Sequence, residues 1–482
     1  MPSRLSALDA SFLFLDRETT PMHAGGLAIF EPPDEGLDLD RLIRLVRQRL
    51  PFVPRYRQRV RSIPFGVARP VWVDDEDFDI TYHVRRSALP KPGTREQLNE
   101  LVARIISRRL DRDRPLWELY LIEGLQDGQV AIVSKTHEAL VDGISAVDIA
   151  QVLLDETEQT PVTPGDTWQA RREPSGVELL SEAVAEIAAR PGAAIDAVRK
   201  AGSDVNSVAH RLGAKVTGAL STVAAVARPT PASPLNVEIG AQRRFATFDL
   251  PLEEVKRVRE VLGGSVNDAI LAMLAGALRS WLLARGQGVS QGDVLRAMLP
   301  VSIAVPTLEG ETLGSKVAAT IIDLPVGEPD PAVRVQQVSY QMAQLEENDH
   351  FVGASNIADI AGFGPPTLHA LGARLGASLT RRVYNLVITN VPGPQHPLYA
   401  AGARMTAAYP VVPLGVGQAL SIGLTSYDGS VYLGLFADRE ALADLEVLVT
   451  CLDDARTELL ERCEERQRLR SVPESIITEE PA

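Results

Sequence analysis

Apolar and β-branched residues fill Val130-Ala131-Ile132-Val133 and then give way to Ser134-Lys135-Thr136. That is the composition of a strand. Gly128 interrupts the pattern ahead of it, and Gly143 interrupts it again after His137-Glu138-Ala139-Leu140-Val141-Asp142. From Ser145 to Leu154 the apolar positions return with helical spacing. The pattern predicts a strand, a short connection and a helix, the arrangement in which side chains emerge into a cleft on a rigid support. If the strand runs through both residues, its period of two sets His137 and Glu138 on opposite faces.

The second half shows comparable patterning. Arg243 to Leu250 predicts a strand, and Leu252, Val255, Val258, Val261 and Leu262 form a helical stripe closed by Gly263-Gly264. Ser265 with Asp268 three positions on is a capping-box pair, and Ile270, Leu271, Leu274 and Leu278 continue that helix. Asn267 then lies in a first turn, where backbone donors point outward.

Between the halves, residues 155–168 are rich in Thr, Pro, Glu and Gly, an exposed linker by composition. Residues 178–227 are Ala-rich and helical in pattern, broken at Pro191-Gly192. Their apolar face includes Val177, Leu179, Leu180, Val184, Ile187, Val198, Val208, Leu212, Val216 and Leu220. This suits either helices packed on the two halves or an arm over a lipid site in contact with a membrane. Residues 228–234, with three prolines, read as a stiff return linker. The divisions are 1–160, carrying the His-x-x-x-x-Asp-Gly segment, 161–240, a linker with Ala-rich helices, and 241–482.

At 482 residues the chain exceeds a single core, and hydrophobic and charged contents of 45% and 23% are ordinary globular values. A formal charge of −14 disfavours nucleic acid or a broad anionic membrane footprint. No signal peptide is apparent, and no run reaches the ~18–20 apolar residues that span a bilayer. Cytoplasmic placement is expected, with any lipid met peripherally at a membrane or lipid inclusion. Cys451 and Cys463, on a charged C-terminal helix, have neither disulfide-framework nor zinc spacing and are expected to be reduced. His23, His83 and His396 show no metal-ligand spacing, so no metal is expected. His83, beside Arg85-Arg86, reads as part of a solvated face, and Trp117 as a core anchor. Neither a GxxxxGK[ST] loop nor a GxGxxG fingerprint occurs, which disfavours nucleoside triphosphate and nicotinamide chemistry.

Taken alone, residues 137–143 fit either a plain Asp-Gly turn after a buried strand, with a histidine satisfied in the core, or a site for base-assisted acyl transfer. Moving an acyl group from a thioester to an alcohol needs a base for the hydroxyl proton and donors for the oxyanion. His137 and Glu138 are the candidate bases. Asp142, just ahead of Gly143, suits a turn-fixing carboxylate.

Across its length the chain resembles the bacterial wax ester synthase/acyl-CoA:diacylglycerol acyltransferase family. The blocks that carry the resemblance begin with Leu5-Ser6-Ala7-Leu8-Asp9-Ala10-Ser11-Phe12-Leu13 and Pro21-Met22-His23-Ala24-Gly25. Val71-Trp72-Val73-Asp74-Asp75, Tyr82-His83-Val84 and Arg114-Pro115-Leu116-Trp117-Glu118 follow. Ser265-Val266-Asn267-Asp268, Leu299-Pro300-Val301-Ser302, Leu313-Gly314-Ser315 and Thr389-Asn390-Val391-Pro392-Gly393-Pro394 complete the series, ahead of Gly402-Ala403-Arg404. Two positions depart from the family. Glu138 stands where its catalytic histidine lies, and Ser315 stands where an asparagine is usual.

The resemblance implies an α/β fold of two chloramphenicol-acetyltransferase-like domains with a tunnel between them. It implies acyl-CoA as co-substrate, no bound cofactor, and diacylglycerol or a long-chain alcohol as acceptor. His137, Glu138, Asp142, Gly143 and Asn267 are the implied catalytic residues, although Asn267 also suits a plain helix-start hydrogen bond. Arg243, Lys316, Arg381 and Arg382 are the candidates for the coenzyme A phosphates, since charged donors bind them best. Two alternatives stand beside the enzyme. One is a lipid- or acyl-CoA-binding member without turnover; the other is a peptide-forming condensation domain, disfavoured by the remaining blocks.

Overall fold

Two mixed β-sheets organise the chain in the computed structural model, which describes residues 2–140, 152–161, 165–189, 230–304, 315–347, 352–353 and 383–471. The first sheet runs in the order Tyr399–Ala400, Ala403–Val411, His23–Glu31, Val130–His137, Trp117–Glu123, Val84–Ala88. Val130–His137 sits inside it, antiparallel to a neighbour on each side, and every one of its residues is buried. Burial on both faces explains why its sequence starts as an unbroken apolar run rather than an alternation. One face carries Lys135 and His137 together with Gly25 and His23 across the ladder. Helix Arg95–Ser107 covers this face so closely that a Cβ on Gly25 would lie 3.0 Å from Ile106 Cδ1. Trp117 pairs with Thr136 and so belongs to the other face.

The second sheet runs Val352–Gly353, Ser315–Leu324, Leu295–Ala304, Leu386–Pro392, Leu420–Tyr427, Ser430–Asp438, Arg243–Pro251. Helices Leu252–Leu262, Val266–Ala284, Pro331–Glu347 and Leu445–Ser471 pack together beside it. The expected stop at Gly263-Gly264 is present, with φ of 94° and 79°, a region that favours glycine. The expected cap is also present: Asp268 N donates to Ser265 Oγ (3.1 Å) and Ser265 N to Asp268 Oδ2 (2.8 Å). Losing such a cap costs about 1 kcal/mol. Cys451 and Cys463 are buried and unpaired on the last helix, and burial pushes both thiols up.

Four expectations change. Strand Ala403–Val411 belongs by sequence to residues 241–482, yet it pairs along His23–Glu31 and so completes the first sheet. Strand periodicity reports an element but not its partner. Helix Val266–Ala284 is 19 residues long and apolar enough to cross a bilayer by length and composition, contrary to the reading that no stretch is. It lies largely buried among the other helices of its half. The linker is tied down rather than free. Asp155 exchanges two backbone hydrogen bonds with Tyr399 (2.8 Å each) and takes one from Arg49 (2.5 Å). Asp166 is held by Arg57, and Arg171 by Asp74 (3.0 to 3.2 Å).

The fourth change concerns helix Gly176–Ala189, the described part of the Ala-rich stretch. It seats Leu179 and Ala183 on Ile63, Val71 and Val73 of a small three-stranded sheet, Ser3–Arg4, Val71–Asp74 and Gln58–Arg61. Val177 and Val184, expected on its apolar face, are instead exposed. The remainder of that stretch, from 190 to 229, lies outside the described residues.

Candidate active site

The strand Val130–His137 delivers its last residues to a tight turn. His137 N donates to Leu116 O (3.0 Å), Glu138 N to Met22 O (3.0 Å) and Leu140 N to His137 O (2.8 Å). The strand ends at His137, and one further cross-strand hydrogen bond, from Glu138 N, leads into the turn. The two environments differ: His137 is 1% exposed, whereas Glu138 is half-buried.

His137 is enclosed by polar partners. Its Nδ1 accepts from Ala139 N (3.0 Å), and its Nε2 faces Asp16 Oδ2 at 3.7 Å. His23, directly opposite in the ladder, lies edge-on with ring centres 5.7 Å apart. Asp16 Oδ2 also accepts from Arg112 (2.7 Å) and Arg109 (3.0 Å), and Oδ1 from Met22 N (3.4 Å). Burial pushes the Asp16 carboxyl up, but His137 and the two guanidinium groups outweigh it and hold the group well below the usual carboxylate range. Burial lowers His137, with Asp16 opposing, so the ring is uncharged at neutral pH. Asp142 and Gly143 lie outside the described residues.

On the same strand face as His137, Lys135 is wholly buried. It donates to Arg108 O and to Glu118 Oε2, the latter at 3.4 Å, while Arg85 reaches Glu118 Oε1 at 3.1 Å. Burial brings the Lys135 ammonium down to about 8. Trp117 points to the opposite face, where its Nε1 donates to Tyr56 O (2.7 Å), the core anchor that its sequence suggests. His83 is a correction. It is fully buried rather than solvated, stacked between Trp117 and Phe78, with Nδ1 donating to Trp117 O (2.8 Å). Burial lowers its pKa to about 4.

A second group forms on the other half. Asn267, second residue of helix Val266–Ala284, accepts at Oδ1 from Asn390 Nδ2 (3.1 Å). With its oxygen engaged, the Asn267 amide keeps its Nδ2 donors as the groups that could serve a developing oxyanion. Asn390 sits on strand Leu386–Pro392, in a block that carries the resemblance but was assigned no role from sequence. The pairing spans 123 positions, so no local spacing announces it.

The coenzyme A candidates separate. Arg243 is not placed to meet a phosphate: it is buried and donates to Gly240 O (2.7 Å), Gln242 O (3.0 Å) and Thr19 O, joining the two halves. Burial, partly offset by Asp438, brings its guanidinium down to about 10. Lys316 pairs with Ile303 in the second sheet, and its side chain lies outside the described residues, as do Arg381 and Arg382. Among the described residues no three His, Cys, Asp or Glu side chains gather to hold a metal.

Comparisons with known proteins cover both halves. The model described as wax ester synthase/diacylglycerol acyltransferase catalytic domain matches residues 5–270, and that of the WS/DGAT C-terminal domain matches 313–460. The probable diacyglycerol O-acyltransferase tgs2 of Mycobacterium tuberculosis is 34% identical over 94% of this chain and 97% of its own length. Its tgs3 counterpart is 46% identical over 260 residues, which are 54% of this chain and 96% of that protein. The solved wax ester synthase/diacylglycerol acyltransferase of Marinobacter aquaeolei superposes with a TM-score of 0.67 at 28% identity, covering 96% of this chain and 100% of that one. The first condensation domain of the calcium-dependent antibiotic synthetase gives 0.56 at 17% identity over 96% of each chain, a likeness of fold. The expected two-domain acyltransferase architecture therefore holds, and the chain belongs to the wax ester synthase/diacylglycerol acyltransferase family.

Proposed function

We propose that this chain transfers a fatty acyl group from acyl-CoA to the free hydroxyl of diacylglycerol, forming triacylglycerol, with Glu138 as the base. The observation that carries the reading is the contrast at the end of the central strand. His137 is sealed among Asp16, His23 and Ala139, while Glu138, at the position of the family's base, is half-buried on the turn. In the reaction Glu138 takes the hydroxyl proton as the oxygen bonds to the thioester carbon. The oxyanion accepts from Asn267, and the carbon–sulfur bond breaks to release coenzyme A, whose thiolate recovers a proton. Diacylglycerol is preferred to a fatty alcohol because the mycobacterial relatives carry that activity in their names.

The test is direct. Purified full-length protein with radiolabelled palmitoyl-CoA and dioleoylglycerol should yield labelled triacylglycerol, and with hexadecanol less wax ester. No labelled neutral lipid from either acceptor, with palmitoyl-CoA still bound, would replace the enzyme by a binding protein without turnover. That second reading rests on the substitution at position 138 itself.

The same proposal keeps the chain in the cytoplasm, in peripheral contact with a membrane or lipid inclusion. Supporting it, Phe65 is 89% exposed at φ 60° in the turn Pro64–Gly66, a conformation that β-carbon-bearing residues adopt rarely. Exposed Val177 follows Gly176, on which a Cβ would lie 3.3 Å from Pro64, so two apolar side chains stand near one another on the surface. In flotation with phosphatidylcholine vesicles containing dioleoylglycerol, wild type should rise with the lipid, and the Phe65→Ser/Val177→Ser variant should stay largely behind. Equal flotation of both would remove this surface from the proposal.

A further inference from the structure

We propose that Asp16 is a positioning residue for the turn that carries Glu138, acting through His137 held as its Nε2–H tautomer and through the backbone of Met22. Two routes lead from one carboxylate to the two sides of Glu138. Along the first, Asp16 Oδ1 accepts from Met22 N (3.4 Å), and the carbonyl of the same Met22 accepts from Glu138 N (3.0 Å). Along the second, Asp16 Oδ2 faces His137 Nε2 at 3.7 Å, and His137 Nδ1 accepts from Ala139 N (3.0 Å). Leu140 N closes on His137 O (2.8 Å), so three successive backbone donors, at positions 138, 139 and 140, end on Met22 or His137, the two residues that face Asp16.

The tautomer follows from these contacts. A neutral imidazole has one donor and one acceptor nitrogen. Since Nδ1 receives a backbone N–H, it carries no proton, and the proton sits on Nε2, toward the carboxylate. Nδ1 is taken by the backbone, and Nε2, protonated in this tautomer and buried, has no lone pair to accept a hydroxyl proton. The carboxylate is fixed in turn by Arg109 and Arg112, and Arg112 also donates to Leu13 O (2.7 Å), which ties the end of helix Ala7–Leu15 into the same assembly. The remaining titratable neighbours on this face are His23 and Lys135, each with its own partner: His23 Nε2 accepts from Leu110 N (3.4 Å), and Lys135 pairs with Glu118 (3.4 Å). Asp16 belongs to none of the blocks that carry the family resemblance.

The experiment has a structural arm and a kinetic arm; only the kinetic arm rests on Glu138 being the base. In the structural arm, protein labelled with ¹⁵N at histidine is observed by long-range ¹H–¹⁵N correlation near pH 7.5, with His137 assigned by its disappearance in His137→Asn. The expected pattern is an unprotonated Nδ1 and a protonated Nε2. A protonated Nδ1 overturns the proposal, whatever the activity.

In the kinetic arm, Asp16→Asn and His137→Gln should each lower kcat by roughly 10- to 100-fold, the scale of a misplaced catalytic group, with KM for palmitoyl-CoA within about twofold. His137→Asn, whose Oδ1 can stand where Nδ1 stands and accept from Ala139 but which lacks the Nε2–H facing Asp16, should fall between wild type and His137→Gln in kcat. Unchanged kcat in Asp16→Asn, or a His137→Asn as inactive as His137→Gln, overturns the proposal. A wild type without transfer overturns the enzyme reading instead, and the ¹⁵N measurement then decides the role of Asp16 alone.

Discussion

Glu138→Ala loses acyl transfer by about 10²- to 10⁴-fold, the range that a positioned general base supplies. The backbone contacts of the turn, Glu138 N to Met22 O and Leu140 N to His137 O, are kept in this variant. Glu138→Gln should be nearly as impaired, because it keeps the shape and removes the basicity. Glu138→His gives the sharper readout. Imidazole replaces carboxylate as the titrating base, so the acid limb of the kcat/KM profile should move. An unmoved acid limb in an active Glu138→His protein would assign the proton transfer to another group. A Glu138→Ala protein as fast as wild type would end the proposal for this residue.

Acidification destabilises the fold steeply between about pH 6.5 and 4. Burial depresses His83 to about 4 and His23 well below its usual value, with Lys135 adding to the effect at His23. His137 is depressed as well. The unfolded chain binds these protons near pH 6.5, while the folded chain binds them only at lower pH. Stability is therefore intact above 6.5 and falls as pH drops toward the folded values. His83 alone, shifted from 6.5 to about 4, accounts for about 3 kcal/mol across that window. His23 and His137, lowered in the same direction, steepen the fall. Asp16, held low in the fold, adds a further loss below about pH 4. Urea midpoints measured from pH 7.5 down to 4.5 should trace this fall, and His83→Phe, which keeps the stack on Trp117, should flatten it. That variant starts lower at neutral pH because Trp117 O loses its donor, a cost of about 1–3 kcal/mol, so its curve crosses that of wild type. Parallel curves would show that His83 takes up no proton on unfolding.

What the sequence reveals is what local spacing can encode. The apolar run ahead of His137, the Gly263-Gly264 stop and the Ser265/Asp268 cap each involve residues a few positions apart, and each appears in the structure where the pattern puts it. Strand Arg243–Pro251 follows the same rule. Asp16 was not legible, since a lone aspartate after an apolar stretch acquires meaning only when Arg109 and Arg112, 93 and 96 positions on, fold against it. His83 was misread for a related reason. Its neighbours Arg85 and Arg86 are polar, but alternation and a one-turn helix, Ile80–His83, turn the ring inward onto Trp117. Asn390 carried a family block but no stated chemistry until its amide met Asn267. Val177 and Val184 fit an apolar stripe on paper, yet among the described side chains of that helix Leu179 and Ala183 are the ones buried on the sheet beneath.

The strand Ala403–Val411 sets a timetable for synthesis. Glu31 cannot meet its ladder partner Arg404 until about 370 further residues have been made, which at ~5–20 residues per second is roughly 20 to 75 seconds. Throughout that interval His23–Glu31 is an open sheet edge on a nascent chain, able to pair with any strand that reaches it first. The first half of this protein therefore matures last, sealed by a segment encoded near the end of the message.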